Sequence, residues 1–351
     1  MVSSGTIGDL RWALTELPTG DSPDRCRVML ALAVLLYYDP STQAEIRALA
    51  EEGAAMARRL GDPALSTWAL QAAWKALWTP RYAGTRLALA REGLQATRDA
   101  GDPDAEAVAS VVLTASLLEM GDLESFRQAF RETGRLASRR RNSYAQMALA
   151  WLALSLAAMR DDEEEAGRWT ERLYELRPRL NPANEALHLA GIHLVSGMWD
   201  ERVQEIVEPL TQAIAVAQND LARDVLILSL ARTGDLESLR RELDVPLEHQ
   251  VENWSSATTW CSMAEAAAVA GDHTLATQMA ERLSPQSGRI ALSGISSAMG
   301  PVDGYLALAL AASGGRDEGS AAADRAQAQG EAWGLTAYVA WLRGHRDRMG
   351  I

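Results

Sequence analysis

Two seven-residue segments, MGDLESF at Met120–Phe126 and TGDLESL at Thr233–Leu239, are close copies of each other and decide the fold class. In each segment, glycine suits the left-handed backbone that ends one helix, and the following aspartate suits the cap of the next helix. The Gly-Asp pair therefore predicts a tight turn between two helices. Similar turns, some with a looser sequence, occur at Gly61-Asp62, Gly101-Asp102, Met159–Asp162, Gly197–Asp200, Gly271-Asp272 and Gly314–Asp317.

The spacing of these turns indicates a repeat. From Gly121 onward they recur about every 37–43 residues, and the segments between them carry apolar positions three or four residues apart, as in Val108, Val111, Ala115 and Leu118. Two helices per unit at this period are typical of tetratricopeptide-like proteins. The sequence predicts an all-α fold without strands, a right-handed α-solenoid of about eight helical hairpins plus a C-terminal capping helix.

The predicted domain organisation is simple. Residues 1–20 are expected to be a capping or frayed segment, and residues 21–351 a single helical-repeat domain. The predicted hairpins cover 24–60, 64–100, 105–140, 144–178, 183–217, 220–245, 255–284 and 302–330, and the closing helix covers 335–348.

Charge and composition remove several classes of protein. The net charge of −13 provides no positive field for a phosphate backbone, so we expect no nucleic-acid partner. Cys26 and Cys261 are too far apart in sequence to suggest a disulfide framework or a metal site. The chain has neither a signal-peptide pattern nor a long uncharged apolar stretch. We expect a cytoplasmic protein with no membrane partner. A homodimer is compatible with this sequence.

The single lysine, Lys75, excludes further classes. It follows no phosphate-binding glycine loop, and alanine at position 72 excludes an S-x-x-K acyl enzyme. The chain also lacks GxGxxG, HExxH and GxSxG motifs. We therefore expect neither a cofactor nor a metal ion.

Several segments resemble a known family of helical-repeat regions. They are LLYYDP at Leu35–Pro40, ARRLGDP at Ala57–Pro63, ALWTP at Ala76–Pro80, RLALAREGL at Arg86–Leu94, LLEMGDLESF at Leu117–Phe126 and MGPVDGYLALALAASGG at Met299–Gly315. They are similar to the C-terminal repeat region of large actinobacterial ATP-dependent regulators, the LuxR-type and cyclase-linked proteins related to the maltose regulator. The resemblance implies a sensor region that receives an inducer or a protein partner. Because the ATPase and DNA-binding modules of that family are absent from this sequence, we expect a free-standing sensor-like domain.

Aromatic residues at helical spacing are the candidate ligand contacts. The chain has 11 tryptophans and two phenylalanines, and large amphipathic rings are common in small-molecule pockets. Two indoles beside the only ammonium group would suit a partly anionic or unsaturated ligand; as core residues, the same rings would fill the space between helices. The candidates are Trp68, Gln71, Lys75 and Trp78 on one helix face, Tyr144 and Trp151 on another, and Trp254 and Trp260.

A biosynthetic enzyme is the alternative hypothesis. A repeat scaffold that holds a polyketide-like chain would need only one or two acid/base groups for a cofactor-free dehydration, isomerisation or cyclisation. His188, His193, Asp303 and Tyr305 are the candidates. The two histidines lie about 140° apart around a helix, which argues against a shared metal ion.

Other charged residues are interpreted as structural. Glu119 and Glu265 lie in apolar helices and are expected to bind an arginine or the backbone of a neighbouring hairpin. Arg139–Arg141 and Asp161–Glu165 lie at helix ends of favourable polarity and are interpreted as solvated. Three functions remain open: binding a small hydrophobic metabolite, binding a protein segment, and catalysis.

Overall fold

The structure is a computed structural model that describes residues 4–176, 191–208, 211, 220–244 and 252–351. It confirms the predicted all-α architecture of helical hairpins. By the contacts among its residues, the chain divides into two compact units. Unit 1 comprises Met1–Leu117, Glu124–Ala145 and Glu248–Trp254; unit 2 comprises Leu118–Leu123, Gln146–Leu247 and Ser255–Ile351.

Unit 1 is built from paired helices. They are α1 (Ser4–Glu16), α2 (Pro23–Leu35), α3 (Gln43–Leu60), α4 (Pro63–Ala76), α5 (Ala83–Asp99), most of α6 (Pro103–Glu119) and α7 (Leu123–Arg140). Short 3-10 turns cover Leu36–Tyr38, Pro40–Thr42 and Pro80–Tyr82. Helix α2 packs against its partner α3 and against α4, the first helix of the next hairpin, which is the pattern of stacked hairpins. Helix α1 packs on α2, so the predicted N-terminal capping segment is largely helical.

Unit 2 continues the same scheme. Its elements are most of α8 (Ser143–Met159), α9 (Glu163–Leu176), a 3-10 turn (Glu201–Ile206), α10 (Asp220–Thr233), α11 (Leu236–Leu243), α12 (Ser256–Ala270), α13 (His273–Leu283), a 3-10 turn (Ser284–Gln286), β1 (Ile290–Ser293), β2 (Ser297–Pro301), α14 (Val302–Ala312), α15 (Arg316–Trp333) and α16 (Thr336–Met349). Helix α12 packs against α10, α13 and α14, and its inner face is almost fully buried. Residues 183–190, 209–210 and 212–217 of the predicted hairpin at 183–217 lie outside the described residues.

The turns between paired helices have the predicted chemistry. Gly101 takes a φ of 64°, and the next amide, of Asp102, donates 3.2 Å back to the carbonyl of Thr97, which closes the helix. The Asp102 carboxylate then accepts from the amides of Asp104 and Ala105 and caps α6. Gly271 and Asp272 repeat this arrangement between α12 and α13.

The expectation of no strands was wrong at one place. Strands β1 and β2 form an antiparallel hairpin in which Ile290 lies opposite Pro301 and Ser293 opposite Ser297. A bulge between Ala291 and Leu292 leaves Met299 without an opposite residue. Nearly every residue of the two strands is buried, so their sequence lacks the apolar-polar alternation by which an exposed strand is recognised.

The described helices include none that is both long and apolar enough to cross a membrane.

Candidate functional site

Unit 2 contains a pocket of about 400 Å³ beside a group of buried charged residues. Arg232 comes from the last turn of α10, Glu265 from α12, and Trp341 and His345 from successive turns of α16. Helix α16 presents Trp341 and His345 to the pocket together because residues four positions apart lie on the same helix face. The remaining lining residues are Met198, Trp199, Asp200, Val203, Ala231, Gly234, Val269 and Arg348.

The Glu265 carboxylate lies at the centre of this group. Its side chain is only 1 % exposed. Nε and Nη2 of Arg232 each donate a 3.1 Å hydrogen bond to it. The indole nitrogen of Trp341 donates at 2.9 Å, and Nε2 of His345 lies 3.6 Å from the same Oε1. Of the two partners expected for Glu265, an arginine or the backbone of a neighbouring hairpin, the structure shows the arginine.

Arg232 is held on every side. Its Nη1 donates 2.7 Å to the carbonyl of Met198, and its Nη2 lies 3.4 Å from the hydroxyl of Tyr305. The guanidinium also lies between two indoles, 4.4 Å from the ring centre of Trp199 and 5.6 Å from that of Trp341. Cation–π contacts of this kind are strongest where water is excluded. Arg232 is thus a fixed wall of the pocket.

The ionisation of the pair follows from these contacts. Burial raises the pKa of Glu265, but Arg232 and His345 outweigh that effect and lower the pKa to about 2. Burial lowers the pKa of Arg232, and the adjacent Glu265 carboxylate more than compensates, so the net pKa is raised. Both groups are therefore charged at neutral pH, and Glu265 is a poor proton donor or acceptor.

His345 is one of the polar groups of the pocket that can form a further hydrogen bond. It is 5 % exposed and lines the pocket, and within the described residues its Nδ1 has no hydrogen-bond partner. Asp200 and Arg348 add exposed charges at the same pocket. Apolar and aromatic walls with a few fixed polar groups are the usual composition of a small-molecule site.

The predicted group on α4 is only partly brought together. Trp68 is 40 % exposed, and Lys75 is exposed with no partner among the described residues. Trp78 is half-buried, with its ring 4.7 Å from Trp74 and 6.4 Å from Trp254. Gln71 is also half-buried. In unit 1, Trp78 thus packs with Trp254 as an aromatic group, while Trp68 and Lys75 project from α4 into solvent.

The other predicted aromatic residues lie in separate places. Tyr144 is 50 % exposed in unit 1. In unit 2, Trp151 packs against the buried cluster that includes Leu154 and Ile192. Trp260 is buried near Arg282, whose guanidinium carbon lies 6.0 Å from its ring centre.

The residues predicted for catalysis have structural partners. Asp303 is buried and accepts hydrogen bonds from the Ser287 hydroxyl, the Gly288 amide and the Arg325 guanidinium, so its carboxylate is already bonded on both oxygens.

Tyr305 has partners of its own. It donates 3.0 Å to the carbonyl of Met299, and burial raises its pKa well above the ordinary value. Tyr305 and Asp303, both candidates for catalysis, are therefore hydrogen-bonded to other groups and not to each other. His193 is exposed, 3.5 Å from the hydroxyl of Tyr174, and His188 lies outside the described residues.

Sequence reasoning missed most of the pocket, including three residues that surround Glu265. Arg232, Trp341 and His345 were not singled out, and the i, i+4 spacing of the last two was the available signal. Nothing in the sequence alone connects them to Glu265, because the network joins helices that are far apart along the chain.

Comparison with known proteins gives little further information. No protein-family model matches the chain, and no curated protein matches it. Among solved structures it is similar to a "Circular tandem repeat protein with novel repeat topology and enhanced subunit contact surfaces", at 15% identity and a TM-score of 0.27. The match covers 98% of this chain and 89% of that chain.

Proposed function

We propose that this protein is a ligand-binding helical-repeat protein and that its small-molecule site is the pocket of unit 2. The observation that supports the proposal is the pocket itself, about 400 Å³ with two indoles and the imidazole of His345 on its walls. That volume lies within the range of about 300–1,000 Å³ common for small-molecule sites. The ligand would be a small aromatic or unsaturated molecule with a polar group that bonds to His345.

A sensor role belongs to the same proposal. The walls come from α10, α12 and α16, which belong to different hairpins, so a molecule in the pocket would contact all three. Its binding energy would favour one packing of these helices over another, which is how a ligand shifts a conformational equilibrium. The resemblance to the repeat region of actinobacterial regulators supports the same role.

Native mass spectrometry tests the proposal. The protein is incubated with fractions of a metabolite extract, and a retained molecule is released and identified. We expect a fraction to add a discrete mass to the wild-type protein. Val269→Trp, which fills the pocket from its half-buried wall, should lose that mass, and Arg348→Gln should weaken its retention.

Ala328→Trp provides the control. Ala328 is exposed on α15 and does not line the pocket, so the same indole there should leave binding unchanged. Circular dichroism of each variant establishes that it is folded. If no fraction adds mass, or if a folded Val269→Trp variant binds as well as the wild type, the pocket is not the ligand site.

A further inference from the structure

We propose that unit 1 contains a second binding site, which takes an amphipathic organic anion: a carboxylate or phosphate head carrying an apolar body. The site is a groove of about 720 Å³ formed by α5, α6 and α7, and we call it the arginine groove. Its lining consists of Leu94, Arg98, Glu106, Ser110, Leu113, Ala129, Glu132, Thr133, Arg135, Leu136, Arg139 and Arg140.

The arginine groove is positively charged, whereas the chain as a whole is negatively charged. Four guanidinium groups line it against two carboxylates, although the whole sequence has a net charge of −13. Arg98 pairs with Glu106 at 2.9 Å, and Glu132 accepts 3.0 Å from the amide of Gln128. With the Arg98–Glu106 pair set aside, Arg135, Arg139 and Arg140 of α7 remain against the single carboxylate of Glu132, so the groove keeps a formal excess of two positive charges.

These three side chains have capacity for a ligand. Within the part of the chain that the structure describes, none of them forms an ion pair or a side-chain hydrogen bond. Cations near the carboxyl end of α7 are favoured by the helix dipole, which explains the presence of Arg139 and Arg140. The dipole does not explain Arg135, which lies more than a turn earlier and lines the same groove.

The Ser110 hydroxyl on the groove wall is a second, independent indication of a ligand. Ser110 is 7 % exposed and lines the groove. Its carbonyl accepts from the hydroxyls of Thr114 at 2.8 Å and Thr133 at 3.4 Å, but its own hydroxyl has no partner among the described residues. A serine hydroxyl can donate one hydrogen bond, so this group on the groove wall can bond to a ligand oxygen.

The apolar residues define the other part of the ligand. Leu94, Leu113, Leu136 and Ala129 come from the three helices and lie buried or half-buried in the lining. Inorganic phosphate would leave these side chains uncovered, and a neutral hydrocarbon would leave the arginines without a counter-charge. Since charge-assisted bonds hold a head and buried apolar area holds a tail, the combination favours an amphipathic anion.

Calorimetric titration with defined probes tests this site. Decanoate and decyl phosphate present the two heads on one apolar body, decanol presents the body alone, and inorganic phosphate presents a head alone. We expect the two amphipathic anions to bind at least about tenfold more tightly than decanol or phosphate. Comparing the affinities of decanoate and decyl phosphate identifies the preferred head group. Binding should weaken when salt rises from about 0.1 M to about 1 M, because screening shortens the range of the exposed charges.

Matched variants locate the binding. Arg135→Gln and Arg139→Gln remove exposed charges of the groove, and each should lower the affinity for decanoate by about tenfold. Arg131→Gln removes an exposed charge of the same helix that does not line the groove, and should leave the affinity unchanged. Equal binding of decanol and decanoate, no binding of either anion, or an equal effect of Arg131→Gln would overturn the proposal. Because the variants lie in unit 1, this result is independent of the pocket in unit 2.

Discussion

The indole nitrogen of Trp341 donates a 2.9 Å hydrogen bond to Oε1 of Glu265, which joins α16 to α12 within unit 2. The same carboxylate binds Arg232 of α10, so a single buried charge connects three helices. Such a network requires all its members, because a buried ion that loses its partner keeps the cost of desolvation without the compensating attraction.

Neutralising Glu265 should therefore destabilise the protein strongly. Glu265→Gln leaves the Arg232 guanidinium buried without a counter-charge, and we expect the free energy of unfolding to fall by about 3–5 kcal/mol. Denaturant unfolding measures it. Glu237→Gln is the control, because the Glu237 side chain is 88% exposed in its pair with Arg241 and should change stability by less than about 1 kcal/mol. Equal losses in the two variants would contradict the assigned role.

The stability that Glu265 provides should depend on pH in the acid range. Its pKa is lowered from an ordinary 4.5 to about 2 in the folded protein. The unfolded state therefore takes up the proton first as the pH falls, so this contribution is complete above about pH 4.5 and is lost progressively toward pH 2. The difference in unfolding free energy between the wild type and Glu265→Gln should be constant near neutrality and shrink below about pH 4.5. A difference that persists unchanged at about pH 3 would show that the carboxylate is not the titrating group.

Tyr338 makes two glycines necessary near the β-hairpin. Its hydroxyl donates 2.8 Å to the carbonyl of Pro301, and its ring packs on the backbone of Gly300 and Gly304. A methyl group on Gly304 would lie 2.1 Å from the Tyr338 hydroxyl oxygen. We expect Gly304→Ala to reduce the free energy of unfolding by at least about 2 kcal/mol, since the buried ring has no room to move.

A double variant separates this clash from a general effect of alanine. Tyr338→Phe removes the clashing oxygen, so adding it to Gly304→Ala should cost less than the sum of the two single changes. Gly344→Ala is the matched control, because its nearest neighbour is the flexible end of Arg348 at 3.5 Å. That change should stabilise α16 by about 0.5–1 kcal/mol, and strict additivity of the first pair would refute the clash.

The fold could be predicted from sequence because its signals are local. A glycine and an aspartate next to each other specify both a helix end and the cap of the following helix, and Gly101-Asp102 and Gly271-Asp272 do so with the expected bonds. The β-hairpin could not be predicted in this way. Ile290–Ser293 is buried throughout, and a short apolar run of this kind has no period that distinguishes a strand from a helix.

The pocket could be predicted only in part, because the residues that bond to one another there are distant in sequence. Glu265 was recognisable as an acid in an apolar helix, and arginine was one of its two expected partners. The choice of Arg232, and the closing of the network by Trp341 and His345, depends on how the hairpins stack. Tryptophan spacing was a weaker guide, since Trp68 is exposed and Trp151 is packed although both lie at helical spacing from other candidates.

Two turns of the repeat place a non-glycine residue where the others have glycine. Arg141 and Asp161 follow α7 and α8 with φ angles of 52° and 57°, and the next amide bonds back to Ala137 or Ala157 as in the glycine turns. Both side chains are exposed, and among the described residues they have no side-chain partner to lose.

Glycine at either position should therefore stabilise the protein. A side chain in the left-handed region costs about 1–2 kcal/mol, part of which is offset because glycine makes the unfolded chain more flexible. We expect Arg141→Gly and Asp161→Gly each to raise the free energy of unfolding, by up to about 1 kcal/mol. The reverse change, Gly101→Ala at a φ of 64° with open space around the added methyl, should lower it by a similar amount. Denaturant unfolding of the three variants measures the backbone effect at each turn. A loss of stability on Arg141→Gly would instead mean that its guanidinium makes a stabilising contact that outweighs the strain.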